Sequence, residues 1–233
     1  MNQPVRGTRG IAVAPHALAS QSALAVLREG GNAIEATIAA AATIAVVYPH
    51  MNSLGGDSFW LMHIPGKAPG AIDACGAAAQ AASPQWYGER GMDQAIPFRG
   101  GAAACTVAGT VSGWGAAFKL ARLQGGRLPL KRLLEDALHY AEHGIPVTRS
   151  QALATAAKKA ELLMQSGFAG VFLSGDAVPV PGSLFAQKRL AATLRRISRA
   201  GTEDFYRGEL ARSMAADLAR AGSPLTLTDL QAH

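Results

Sequence analysis

The sequence predicts a layered α/β (α+β) fold, sheet packed on helix, with a helical second half. Three observations predict it. Residues 33–47 are apolar on every face of a helix, and a helix without a polar face is buried all round. Two short runs, 58–64 and 71–75, are separated by Pro65-Gly66 and Pro69-Gly70 and read as an antiparallel hairpin. From residue 111 onward the remaining long segments read as helices. With neither an internal repeat nor a low-complexity linker, residues 1–233 are expected to form a single domain fragment, layered over 10–110 and mostly helical over 111–233.

Taken in order, Gly10–Ala14 is expected as a short strand, and Pro15-His16 opens a helix that stops at Gly30-Gly31. Asn32 then caps the apolar helix, with Glu35 three residues later as in a capping box. Residues 48–57 form a turn-rich loop before the hairpin. Ala103–Val107 reads as a further β run. Helices are expected over 111–123, 129–143, 149–165, 187–201 and 208–221. Leu133, Leu134, Ala137, Leu138 and Ala141 carry an apolar stripe in the second of them. Near the end, Thr228 reads as the cap of a helix that has room for little more than one turn, so a longer protein is expected to continue past His233.

Composition narrows the function classes. Apolar residues make up 49% and charged residues 16%, which argues for a globular chain over a disordered one. Aromatics are only 6% against 26 glycines, so the core must be built from small residues. The longest apolar run, 36–47, is too short for a membrane span of about 20 residues. No secretory signal is visible, which makes a cytoplasmic protein the expectation. The net charge of +6 is concentrated around Lys188, Arg189, Arg195, Arg196 and Arg199, followed by Glu203, Asp204 and Glu209. That spacing fits a solvated helix face better than a phosphate track, and no aromatic residues interleave for base stacking. Nucleic acid is therefore not an expected partner. Two cysteines without CxxC or His-rich spacing give neither a disulfide framework nor a metal site, and no cofactor is expected.

Residue types alone reveal no catalytic centre. There is no GxSxG elbow, no phosphate-binding Walker loop and no HExxH. Glu35 reads as a helix cap, His16 as a helix-start residue, and Cys75 and Cys105 as inert thiols in apolar strands.

The order of segments carries more. Ala14–Ser20, Leu27–Ala36, Val47–His50 and Gly55–Phe59 together resemble the opening of the gamma-glutamyltransferase family. Thr106–Trp114 resembles that family's VPG-x-x-x-G segment, Leu133–Ala137 with Ala141–Gly144 its following helix pair, and Asp204–Gly208 with Leu227–Leu230 its later landmarks. The resemblance implies an N-terminal nucleophile hydrolase with an αββα sandwich, made as a precursor that cuts itself into two subunits. The attacking group is then the N-terminal Thr of the small subunit, whose own amine serves as base. On that reading this chain is the large-subunit part, with no catalytic residue of its own, and its partner is the small subunit of the same precursor. Whether two heterodimers pair is left open.

In the transferase branch an Arg within Asp-x-Arg-Glu-x-x-Pro holds the substrate carboxylate, work suited to a guanidinium fork. The matching stretch here is Asp73–Ala79, and Cys75 stands at the Arg position. Arg99, in a Gly-flanked loop, is the candidate substitute. Asn52 and Asp57 are further candidates for substrate contact, with stitching of loop backbone as their competing role, shared by His50. The resemblance therefore implies an amidohydrolase acting on a small carboxylate-bearing amide. The branch that hydrolyses oxamate in purine breakdown leads. A gamma-glutamyl hydrolase or transpeptidase acting on glutathione-like substrates, and a non-catalytic scaffold, are the alternatives.

Overall fold

The computed structural model describes residue 4 and residues 6–233. Helix α1 (Ala17–Arg28) is capped by His16, whose Nδ1 accepts the Leu18 N–H at 3.2 Å. Helix α2 (Ala33–Val47) starts on the expected capping box. Asn32 Oδ1 accepts the Glu35 N–H and Glu35 Oε2 accepts the Asn32 N–H. Glu35 goes further than a cap. Fully buried, it also accepts the Leu128 N–H on Oε1 at 2.8 Å, so one carboxylate ties the start of α2 to a distant loop.

The apolar helix is buried as its sequence demands, but mainly by helices rather than by the expected sheet. It packs on α1, on α4 (Thr110–Leu123), on α5 (Leu130–Leu133) and on α6 (Glu135–His143). Its alanines explain this. Ala36, Ala39 and Ala42 are all buried, and small side chains let helix backbones approach closely.

Strands β1 (Ser58–Met62) and β2 (Gly70–Ala74) form the predicted antiparallel hairpin, with Trp60 opposite Ile72. Its inner face rests on α4, where Gly113 is required. A Cβ there would stand 2.2 Å from Ser58 Oγ and 2.9 Å from Ala74 Cβ. The outer face carries Phe59 and Leu61, 71% and 85% exposed.

Several expectations are corrected. Residues 10–14 form no strand, because no segment among the described residues pairs with them, and Val13 is exposed. Ala103–Val107 is not a strand either: Gly101–Ala103 is a 3-10 turn, and the only pairing is a single bridge between Ala78 and Thr106. The stretch 129–143 divides into α5 and α6 at Leu134, whose φ of −96° and ψ of −1° lie at the edge of the right-handed helical region. The last helix starts at Thr226, not Thr228. Thr226 and Asp229 form a capping box, and Asp229 Oδ1 also accepts the Gln80 N–H at 2.9 Å.

The second half contributes α7 (Arg149–Leu162), α8 (Phe168–Phe172), α9 (Lys188–Ala200), α10 (Asp204–Arg207), α11 (Glu209–Arg220) and α12 (Leu227–Ala232). Short helix α3 (Pro84–Gly88) precedes them, and a two-residue ladder pairs β3 (Ile145–Pro146) with β4 (Leu184–Phe185). Helix α9 buries Ala191, Leu194 and Ile197 and turns its arginines outward, as the charge spacing predicts. There they pair with neighbouring helices: Arg195 with Glu142 at 2.7 Å, Arg196 with Asp204 at 2.9 Å and with Glu209 at 2.5 Å. Asp204 also accepts the Glu209 and Leu210 N–H groups. The Arg196 guanidinium foremost, helped by these backbone bonds, holds the Asp204 carboxyl below the usual carboxylate range against the opposing effect of burial. One continuous apolar cluster runs from Ala19 to Leu230 across both halves.

Candidate active-site wall

The loop after α2 is folded by its own backbone. Met51 and Asn52 both donate to the Tyr48 carbonyl, at 3.1 and 3.0 Å. Farther along, the Gly56 carbonyl accepts from both the backbone N–H and the hydroxyl of Thr110, at 2.8 and 2.7 Å. The first residue of α4 thus staples this loop above the helix. Between the loop, the Ala41–Ile44 edge of α2 and Trp114 of α4 lies a cavity of about 500 Å³.

Asp57 and Asn52 both line this cavity, as does His50. Asp57 is exposed, and each of its oxygens has a partner: Oδ1 accepts the Gly76 N–H at 3.1 Å, and Oδ2 accepts the Cys75 thiol at 3.4 Å. Cys75 is therefore not the inert core thiol expected from its apolar neighbours. It stands exposed one residue beyond β2, where the strand alternation has already ended. The hydrogen bond to Asp57 is the main influence holding its thiol above the ordinary cysteine value, with burial and the charges of Asp57 and Asp73 acting the same way. The group presented is a thiol donor backed by a carboxylate. Gly76 fixes that geometry, since a Cβ there would fall 1.5 Å from the Val107 carbonyl oxygen.

Arg99 is elsewhere. Its guanidinium is paired with Glu161 on α7, and it lines a second cavity formed with α7 and α8. The structure brings Asn52 and Asp57 into one cavity, with Cys75 bonded to Asp57, and leaves Arg99 in a separate one. Pro49 and His50 line both. Cys105 is half-buried beside the Ala78–Thr106 bridge. Sequence reasoning missed Thr110 and Trp114. The available signal was the Gly109-Thr110 step at the start of α4, where a hydroxyl beside a helix start commonly seeks a carbonyl or an orphan N–H. No cluster of three or more His, Cys, Asp or Glu side chains suited to a metal ion occurs among the described residues.

Residues 19–233 match the family model for gamma-glutamyltranspeptidase. The chain belongs to the gamma-glutamyltranspeptidase family. Within it, this chain is 58% identical over 228 residues to an oxamate amidohydrolase proenzyme of Klebsiella pneumoniae, covering 97% of this chain and 42% of that protein. It is 41% identical over 235 residues to a glutathione hydrolase-like proenzyme of Bacillus subtilis, covering 100% of this chain and 43% of that protein. The chain thus spans less than half the length of these relatives. Among solved structures, gamma-glutamyltranspeptidase of Helicobacter pylori superposes with a TM-score of 0.89 at 31% identity, over 97% of this chain and 65% of that one. Cephalosporin acylase of Bacillus halodurans superposes with a TM-score of 0.86 at 31% identity, over 100% of this chain and 44% of that one. The fold is accordingly the N-terminal nucleophile hydrolase class that the ordered motifs implied.

Proposed function

We propose that this gamma-glutamyltranspeptidase-family chain is the large, non-nucleophile part of an amidohydrolase that cleaves a small carboxylate-bearing amide, with oxamate as the leading substrate. The single observation that carries the reading is local. At the position where the resemblance calls for a carboxylate-clamping Arg stands Cys75, bonded to the cavity-lining Asp57, and among the described residues no Lys or Arg lines that cavity. A thiol leaning on a carboxylate cannot act as the guanidinium clamp that the resemblance ties to gamma-glutamyl substrates, so a cation that meets the carboxylate of the smaller amide must come from outside this wall. The similarity to the Klebsiella pneumoniae oxamate amidohydrolase proenzyme supports the same direction.

In this mechanism the Thr hydroxyl of the partner subunit attacks the amide carbonyl, with its own amine taking the proton. The tetrahedral intermediate expels ammonia and leaves an acyl ester. Water then releases the acid, which for oxamate is oxalate. This chain supplies the wall that positions the amide, through Asn52, Asp57 and the Thr110-stapled loop. The exposed Phe59–Leu61 face of a two-stranded hairpin supports the small subunit as its partner, since an apolar strand face of this kind needs a covering layer.

The gamma-glutamyl reading is kept for one reason, the similarity to the glutathione hydrolase-like proenzyme of Bacillus subtilis. The matured full-length protein, assayed on oxamate and on a gamma-glutamyl anilide, separates the two. Turnover of oxamate with little of the anilide is expected, and turnover of the anilide alone overturns the proposal. Intact mass of the purified product tests the partner: two fragments are expected, with Thr opening the smaller.

A further inference from the structure

The cavity that holds Arg99 has the make-up of a ligand site in its own right. It measures about 570 Å³ and lies between the Pro49–His50 turn and helices α7 and α8. Much of its lining is apolar, from Leu162, Phe168, Val171 and Phe172. Its polar groups are few and converge. Arg99 and Lys158 both pair with Glu161, so two cations share one carboxylate and the rim carries a formal charge of +1. Thr155 lines the cavity at only 6% exposure, and no hydrogen bond engages its hydroxyl among the described residues. His50 Nδ1 is buried and also without a partner among the described residues. Buried polar groups are almost always satisfied, so the unpartnered His50 Nδ1 in the cavity wall points to a missing partner. An apolar cavity with a few convergent polar groups is the usual form of a small-molecule site.

We propose that this second cavity binds a small organic carboxylate with an apolar body. The carboxylate is taken by Arg99 and Lys158 in competition with Glu161, and the body lies against Phe168, Val171 and Phe172. The excess of one positive charge at the rim matches a monoanion, and the apolar lining has no use for a fully hydrated ion such as phosphate. The cavity shares Pro49 and His50 as a common wall with the one that holds Asn52 and Asp57, and the proposal does not depend on which amide the enzyme cleaves.

The test is calorimetric titration of the matured two-subunit enzyme with 4-phenylbutyrate and with its neutral analogue 4-phenylbutanamide. The acid is expected to bind at least about tenfold more tightly than the amide, the difference a charge-assisted hydrogen bond makes. Arg99→Gln is expected to weaken the acid about tenfold and to leave the amide unchanged. Glu161→Gln is expected to tighten the acid several-fold, because it removes the competing carboxylate. A purely structural ion pair gives no such gain. Should Glu161→Gln fail to fold, Lys158→Gln reads the same rim and is expected to weaken the acid. Equal binding of acid and amide, absence of binding, or weakened acid binding by a folded Glu161→Gln protein each overturn the proposal. Oxamate turnover by the unaltered enzyme is read separately, so failure here and failure of the amidohydrolase reading are distinguishable.

Discussion

Asp57 accepts the Cys75 thiol and pushes its proton loss to higher pH, where the resemblance calls for a guanidinium. Its consequence is measurable. With the hydrogen bond to Asp57 the main cause of the raised thiol value, Asp57→Asn should move the pH midpoint of Cys75 alkylation downward. Peptide mapping of iodoacetamide labelling against pH checks this, and an unchanged midpoint would contradict the bond. At Glu35 the expectation concerns stability. Both carboxylate oxygens accept backbone N–H groups in a fully buried site, and Gln offers only one acceptor. Glu35→Gln should therefore cost about 1–3 kcal/mol in urea denaturation, the price of one unsatisfied buried donor. The capping role of Glu35 was legible in the sequence because it depends on neighbours three residues away. Its bond to Leu128 was not, because that partner lies 93 positions along the chain. The same distinction explains Cys75: its apolar flanks suggested a core thiol, but exposure depends on where β2 ends and on how Gly76 packs under Val107.

Helices were the most legible elements, since apolar periodicity and caps are local. Helix α9 is the clearest case, and it yields a paired prediction. Leu194→Ala removes a fully buried side chain and should cost about 2–5 kcal/mol. Arg199→Ala, on the outward face, should change stability by no more than about 0.5 kcal/mol. Thermal or urea unfolding of the two variants decides whether the face was assigned correctly. Strands were less legible. The hairpin was found because its turn is marked by Pro and Gly and its partner is adjacent. Residues 10–14 and 103–107 carry strand-like composition, but a strand exists only where another segment donates to it. The division of 129–143 into α5 and α6 falls at the fully buried Leu133 and Leu134, where the sequence carries no Gly or Pro breaker.

Across the whole molecule, the Arg196–Asp204–Glu209 cluster joins α9, α10 and α11 and gives the fold a pH dependence. The Asp204 carboxyl is held below its unfolded value of about 3.9. Its stabilisation is therefore complete above that pH and is lost as pH falls through the lower folded value. Asp204→Asn should lower the urea midpoint at neutral pH and flatten its decline below about pH 4. At the same scale, Leu61→Lys places a charge on the exposed hairpin face and should reduce the yield of the assembled two-subunit product, read by gel and intact mass, without altering the hairpin's own pairing.

Local chemistry in the chain was enough to establish its longer helices, the β1–β2 hairpin, the Asn32–Glu35 cap and, through ordered motifs, its family and fold class, because each of these depends on residues near one another or on a fixed succession of segments. Tertiary packing alone decided that α2 is wrapped by helices and that Cys75 leans on Asp57. It alone put Arg99 in a different cavity from Asn52 and Asp57. Those outcomes depend on which distant groups meet, and the groups meet only because small residues such as Gly76 and Gly113 allow backbones to approach where any larger side chain would hold them apart.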